Sequence, residues 1–476
     1  MAPRPVPLVI DLDDTLVRTD TLLEQLVQLA FHAPGRLPAV LAALPKGRAA
    51  FKRKVAEASE LDVATLPYDE AVVAFAKARK TSGGSVHLVT AQDQSIADGV
   101  AAHLGLFDSA HGSDGRSNLK GRNKAAAIAE RFSDGFAYIG DAHADLAVWR
   151  QASEVLVVGG GPGLRRSLAR EGLGPHQTFE RPKPGLRGWI RALRIHQWSK
   201  NVILLVPLFL SQQFLNPAML LRTAAALLLF SLAASATYVL NDLSDLAADR
   251  AHPTKWRRPL ASGLIHLRAA LPGALVLLLA ALAGALFLHP AFGLVTVAYV
   301  VVTLLYSFRL KAQPLIDLMT IGGLFTLRVV AGMVVVDTPI SLWLATFTFM
   351  LFTSLAAAKR NGELVRAQAQ NRVVAGRGYL AADTPITTSL GLATGVTAVL
   401  VMVLYMALEA EMTGLYHHVE PLFLIPAVLG AWILRIWLLA HRGDLEDDPV
   451  VFAIKDRVSW GHAVVVVLLW SISKVG

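Results

Sequence analysis

Three short apolar runs in the first third of the chain end in acidic or small polar residues: PLVIDLDD (7–14), SVHLVTA (85–91) and FAYIGDA (136–142). Each has the length and composition of a buried strand, and stretches of helical character separate them. Strands alternating with helices predict a parallel α/β sheet, whose ligands bind at the carboxyl ends of the strands. Residues 17–80 read as helical and interrupt the first crossover, so a small helical cap is expected there. The stretch 157–189 is rich in Gly, Pro and Arg and predicts a linker. Its glycines lack the strand–turn–helix setting of a nucleotide loop.

From about residue 199 the pattern changes to long apolar runs. A membrane-spanning helix needs about 20 predominantly apolar residues. Segments near 199–214, 218–240, 268–288, 291–308, 315–336, 340–358, 385–408, 419–440 and 459–475 predict about nine spans, the first and last of them short. The expected fold is therefore multidomain. An α/β domain covers 1–156, a linker 157–189, and an all-α membrane bundle 190–476.

Composition agrees with that split. The 476 residues are 54% hydrophobic and 17% charged, against about a quarter charged in soluble domains. The net charge is +9, and much of the excess sits between apolar runs, where it suits lipid headgroups or a phosphorylated substrate. The absence of cysteine excludes disulfides, thiolate nucleophiles and Cys-based metal sites. No signal-peptide pattern opens the chain, so the N-terminal domain is expected in the cytoplasm. Segments 241–267, 309–314, 359–384 and 441–458 are rich in Lys and Arg, including Arg372 and Arg377. The alternate loops 215–217, 289–290, 337–339 and 409–418 have neither residue. This asymmetry predicts a multi-pass protein of the inner (cytoplasmic) membrane with its active sites on the cytoplasmic side. No nucleic-acid partner is expected, and the oligomeric state is left open, a homo-oligomer included.

Two clusters of acids carry the candidate chemistry. In the first, Asp11 and Asp13 follow an apolar strand, and two acids two residues apart point the same way off an extended chain. One can attack a phosphorus atom while the other moves protons. Thr90 ends the second run, Asp141 and Asp145 follow the third, and Lys124 opens the helix between them, with Lys120 as its rival. Taken singly, these residues could be turn and capping groups. Together they resemble the haloacid dehalogenase (HAD) phosphatase superfamily through its DxDxT, Thr, Lys and GDxxxD motifs over residues 7–155. The resemblance implies a HAD-like, Rossmannoid domain with Asp11 as nucleophile and Asp13 as general acid/base. It implies Thr90 and Lys124 as phosphoryl holders, and Mg²⁺ on Asp11, the Asp13 backbone carbonyl and Asp141, with Asp145 in support.

In the second cluster, Asp242, Asp245 and Asp249 are spaced three and four apart, so on one helix they share a face. Like charges so arranged need something positive between them, and Mg²⁺ with a substrate phosphate suits hard oxygens. The plainer alternative is a solvated acidic helix end balanced by Arg250, Lys255, Arg257 and Arg258. Further polar groups lie near the same membrane face: Arg194, Gln197, Lys200 and Asn201, then Tyr306, Lys311 and Asp317, then Lys359, Arg360 and Glu363. Arg328 lies inside an apolar run, which makes it a functional candidate.

This pattern resembles the UbiA superfamily of membrane prenyltransferases, from the NDxxDxxxD motif at Asn241–Asp249 and the number of spans. Within it, LRIHQWSKN, YSFRLK, AAAKRNGEL and DPVVFAIKDRVS are most similar to the decaprenyl-phosphate phosphoribosyltransferases. Ordinary members hold a second metal on a second aspartate-rich motif. Here that turn offers one acid, Asp317, beside Lys311. The resemblance implies phosphoribosyl diphosphate as donor and a polyprenyl phosphate as acceptor. Asn241, Asp242, Asp245 and Asp249 would hold Mg²⁺ on the donor, with Lys200, Lys255, Arg258, Tyr306, Lys311, Lys359 and Arg360 as substrate-binding candidates. The fused phosphatase could then remove the 5-phosphate to give polyprenyl-phosphate-ribose. The alternative is transfer of a prenyl group from a polyprenyl diphosphate to an aromatic acceptor, with a separate or regulatory role for the HAD domain.

Overall fold

The computed structural model describes residues 5–369, 378–410, 417–445 and 449–474. Arg372, Arg377 and Asp448 lie outside them. The chain divides into two compact units, Met1–Ile195 with Tyr238–Val276, and His196–Thr237 with Leu277–Gly476.

A six-stranded parallel sheet organises the first unit: β1 (Leu8–Ile10), β2 (Val86–Asp93), β3 (Ser109–Ser113), β4 (Ala137–Gly140), β5 (Glu154–Val158) and β6 (Gln177–Phe179), in the order β3-β2-β1-β4-β5-β6. Central β1 reads as an unbroken apolar run because both of its faces are covered. Leu8 and Ile10 enter one core with Leu88, Ile139 and Leu156. Val9 turns the other way, toward Tyr138, Trp149 and Val157. Strand order reverses between β1 and β4, so the loops after Ile10 and Gly140 flank the crevice where ligands of such sheets bind. The expected helical cap is present as Thr21–His32 and Arg48–Ala58 with short turns between them, closed over a small core of Leu29, Val40 and Val55. Asp20 caps the first of these helices by accepting from the Leu23 N–H.

The expected linker at 157–189 is corrected. β5 runs to Val158, the helix Pro162–Arg170 follows, and β6 pairs parallel with β5 at Leu156↔Gln177. Leu164, Leu168 and Phe179 bury their side chains in the two cores. A three-residue edge strand and a basic surface helix carry few apolar positions, so composition alone reads as loop.

Among the described residues, seven helices are long and apolar enough to cross a membrane: Pro217–Ser244, Leu267–Leu288, Pro290–Phe308, Ile316–Val335, Leu342–Gln368, Ala381–Leu408 and Glu420–Arg442. The boundaries between the units fall inside the first two. The other two expected spans are not long helices. Residues 199–214 form a 3-10 stretch (Ile195–Leu205), a helix of five residues (Val206–Leu210) and another 3-10 turn. Pro207 removes a backbone donor there, and Gln212 adopts φ 60°. The last, Arg457–Ile472, has 16 residues. Small residues let helices of the second unit approach closely. A Cβ on Gly322 would lie 2.2 Å from Thr353 Oγ1, and one on Gly332 would lie 2.1 Å from the Leu204 carbonyl oxygen.

Candidate active sites

At the carboxyl end of β1, Lys124 Nζ lies 2.7 Å from Asp11 Oδ1 and donates to the Tyr138 hydroxyl at 2.9 Å. That hydroxyl donates to Asp145 Oδ1 at 2.7 Å. Asp145 Oδ2 accepts from the backbone N–H groups of Asp141 (3.3 Å) and Ala142 (3.1 Å), which fixes the turn after β4. Thr15 Oγ1 donates to Asp141 Oδ1 at 3.1 Å. Asp13 faces the cap: its Oδ1 accepts from the Thr21 N–H (2.9 Å) and hydroxyl (2.7 Å), and its Oδ2 accepts from Gln92 Nε2. Thr90 is buried, and its hydroxyl accepts from the Gln92 N–H at 3.1 Å. Lys124, not Lys120, is thus the lysine paired with Asp11.

Ligand atoms of Asp11, Asp141 and Asp145 all lie within 4.8 Å of one another, the one such acidic group among the described residues. Burial and the neighbouring carboxylates of Asp11 and Asp145 push Asp141 up to about 8. Burial also raises Asp11, against the lowering effect of Lys124. Lys124 reaches two of these three acids, Asp11 and Asp145, and a hard divalent cation would supply the missing positive charge. The donor set therefore fits Mg²⁺. Burial, aided by Asp20, pushes Asp13 up to about 7, so near neutrality it can carry a proton for a leaving group.

The aspartate ladder differs from a single helical face. The helix Pro217–Ser244 ends before Asp245, and a new short helix, Leu246–Ala251, begins after it. Asp242 and Asp249 still converge, on a guanidinium: Arg258 Nη1 lies 3.2 Å from Asp242 Oδ1 and 2.5 Å from Asp249 Oδ2. Arg194 also donates to Asp242. Asp245 Oδ2 accepts from Asn241 Nδ2 at 3.2 Å. Of the three acids expected to share one cation, Asp242 and Asp249 thus lie against Arg258, and Asp245 lies against Asn241. Lys255 is exposed on the turn that follows.

In the second unit, Asp317 is fully buried and committed to neighbours. Arg360 Nη2 donates to its Oδ2 at 3.1 Å and the Tyr379 hydroxyl to its Oδ1 at 2.6 Å. Arg360 also pairs with Glu363. Lys200, Tyr306, Lys311 and Lys359 are half-buried. Arg328 is held by neutral groups: Nε donates to Asn201 Oδ1 (2.8 Å), Nη1 to the Leu324 carbonyl (2.7 Å) and Nη2 to the Tyr299 hydroxyl (2.9 Å). The rings of Phe230, Tyr299 and Phe325 surround it. These contacts link the helix Ile316–Val335 to Asn201 and to the helix Pro290–Phe308.

Sequence reasoning missed Lys52, Gln92, Thr21 and Tyr138. Lys52 reaches from the cap to the Ala91 carbonyl (2.5 Å) and Asn118 Oδ1 (3.1 Å), close enough to feel Asp13 and Asp11. No motif marks it. Tyr138 did carry a signal, since it alternates with Ala137 and Ile139 two positions before Gly140, yet an aromatic in a strand ordinarily reads as core.

A family model described as the UbiA prenyltransferase family matches residues 202–461. "Uncharacterized protein y4nM" of Sinorhizobium fredii is 43% identical over 458 residues, covering 96% of this chain and 89% of its own length. "Decaprenyl-phosphate phosphoribosyltransferase" of Mycobacterium tuberculosis is 34% identical over 277 residues, 57% of this chain and 89% of that protein. "Nodulation protein NoeC" of Azorhizobium caulinodans is 31% identical over 284 residues, 57% of this chain and 88% of that one. Among solved structures, a UbiA homolog from Archaeoglobus fulgidus bound to DMAPP and Mg²⁺ overlaps 59% of this chain and 96% of its own, at 17% identity and a TM-score of 0.47. A substrate-bound phosphoserine phosphatase overlaps 37% and 94%, at 18% identity and a TM-score of 0.26. At these scores neither overlap adds to the family assignment.

Proposed function

Because the chain belongs to the UbiA prenyltransferase family, we propose that its membrane half transfers 5-phosphoribosyl from phosphoribosyl diphosphate to a polyprenyl phosphate. The observation that carries this reading is the pairing of Asp242 and Asp249 on Arg258, with Arg194 beside them. Two nearly buried carboxylates brought together on a positive group form a cradle suited to a metal–diphosphate. Asp317 supports the choice of donor. As the only acid of its turn, it is locked between Arg360 and Tyr379, which leaves little for a second metal. The phosphoribosyltransferase relatives support the same choice.

In the proposed reaction an oxygen of the lipid phosphate forms the bond to ribose C1 while the C1–diphosphate bond breaks. Asp242, Asp245, Asp249 and Asn241 would hold Mg²⁺, which would stabilise the departing diphosphate. Arg258 would pass from the carboxylates to the phosphates, and Lys200, Lys255, Lys311 and Lys359 keep their candidacy for phosphate contact. No strong protein base is required, because a phosphate oxygen is already ionised at neutral pH.

The N-terminal domain is proposed to remove the 5-phosphate. Asp11 attacks phosphorus, Asp13 protonates the ester oxygen as it leaves, and water then releases phosphate from Asp11. Lys124 and Thr90 hold the transferring group. Tethering the two activities raises the effective concentration of the second site. Membranes containing the protein, given phosphoribosyl diphosphate, polyprenyl phosphate and Mg²⁺, should yield a lipid whose mass has gained a ribosyl group. A prenylated aromatic acceptor formed from polyprenyl diphosphate, with no ribosylated lipid, would instead favour prenyl transfer.

A further inference from the structure

Residues 244–268, which follow and include part of the aspartate ladder, also brace the phosphatase cap, and all of the residues concerned lie within the first unit. Arg250, next to Asp249, donates from Nη1 to Glu24 Oε1 at 2.6 Å and from Nη2 to Oε2 at 3.1 Å. The two side chains are 5% and 1% exposed. Arg268 donates to Asp20 Oδ2 from Nε (2.9 Å) and Nη2 (2.5 Å). Asp20 is also the residue that caps the helix Thr21–His32. His266 Nδ1 lies 3.1 Å from Asp14 Oδ1. At the far end of the same helix, His32 Nε2 lies 2.9 Å from the Ser244 carbonyl oxygen. Gly263 closes the contact, since a Cβ there would stand 2.4 Å from the Arg18 carbonyl oxygen.

All of these contacts except that of His32 fall on residues 14–24. That stretch also holds the proposed proton donor, because the Thr21 N–H and hydroxyl both donate to Asp13 Oδ1. A general acid is effective only within hydrogen-bond reach of the atom it protonates, and small displacements are costly. Glu24 reinforces the point. It is almost wholly buried, and its carboxylate is held by Arg250 and the Thr19 hydroxyl, so without Arg250 it would be a buried carboxylate lacking that counter-charge.

We propose that Arg250, His266 and Arg268 are positioning residues of the phosphatase. Acting through Glu24, Asp14 and Asp20, they fix the first turn of the cap helix and so hold the Asp13 carboxyl against the leaving oxygen. The inference rests on the phosphatase reading. In the step concerned, an Asp11 oxygen bonds to phosphorus, the phosphorus–ester oxygen bond breaks, and the Asp13 proton passes to that oxygen. In the second half, water attacks the phosphorus, Asp13 takes a proton from it, and the bond to Asp11 breaks. A piece ending near residue 190 would have the nucleophile but lack the brace.

The test uses the full chain in detergent with Mg²⁺ and two substrates. Ribose 5-phosphate has a leaving group that needs a proton, whereas 4-nitrophenyl phosphate has one that departs without it. Arg268→Ala is the main variant, since that side chain is 63% exposed and its truncation opens no cavity in the core. Arg250→Lys keeps the buried charge while losing the bidentate geometry. Both variants should lower kcat/KM for ribose 5-phosphate by about 100-fold, and kcat/KM for 4-nitrophenyl phosphate several-fold at most, because this ratio reports the step in which the ester oxygen leaves and not the water step that the two substrates share. Equal losses on the two substrates, or no loss on either, overturn the positioning role alone. A wild-type chain inert toward both overturns the phosphatase reading and this inference with it.

Discussion

Lys124 Nζ stands 2.7 Å from Asp11 Oδ1 and is linked through the Tyr138 hydroxyl to Asp145, so one ammonium serves two of three clustered carboxylates. Its removal would leave Asp11, the proposed nucleophile, facing uncompensated negative charge, and on the same reading would remove a donor to the transferring phosphoryl group. Lys124→Met should therefore reduce phosphate release by about 100-fold or more, while incorporation of labelled phosphoribosyl into lipid is unchanged. Parallel assays on the same preparation decide it, and unimpaired phosphate release would remove Lys124 from the site.

Asp11 separates the two proposed activities more sharply. Asp11→Asn keeps the size of the side chain and the contact with the Leu12 N–H (2.8 Å), yet loses the attacking charge. The variant should still transfer phosphoribosyl, and mass spectrometry should find the 5-phosphorylated lipid accumulating where the wild type gives the dephosphorylated product. Equal product ratios in the two would mean that the phosphatase does not act after the transferase.

The elements legible in the sequence are those whose physics is local. β1, β2 and β4 are buried on both faces, so their runs are apolar and end in the groups the site uses. β3 and β6 stayed hidden because SAHGS and QTF carry little apolar signal, and tertiary packing makes them strands. The break at Asp245 was also invisible, since an i, i+3, i+7 spacing describes a continuous helix equally well. Lys52 and the Arg250–Glu24 pair lie furthest from reach. The partners in that pair are 226 residues apart, and no periodicity connects them.

Arg258 pairs with both Asp242 and Asp249, and on the proposed reading it would compete with Mg²⁺ for the same oxygens. Arg258→Gln should therefore shift two constants in opposite directions. The Mg²⁺ concentration giving half-maximal transfer falls, because the competing cation is gone, and the KM for phosphoribosyl diphosphate rises, because a phosphate contact is lost. Titrating each ligand at saturation of the other resolves the two. A rise in both would show that Arg258 organises the carboxylates rather than competing for them.

The second unit offers a stability test independent of either activity. Gly391 meets Trp437 so closely that a Cβ would lie 1.9 Å from the ring, and Ser354 locks the contact by donating to the Gly391 carbonyl (2.7 Å) and accepting from Trp437 Nε1 (3.0 Å). A methyl group there must push the indole out of a packed helix interface. Gly391→Ala should cost about 1–3 kcal/mol and lower the melting temperature of the detergent-solubilised chain. Gly323 is the matched control, on a helix of the same unit, with nothing within 4 Å of its added Cβ. Gly323→Ala should leave the melting temperature unchanged or raise it slightly, since Ala is favoured over Gly in a helix interior by about 1 kcal/mol. If both variants melt alike, the close approach of Gly391 to Trp437 does not hold these helices together.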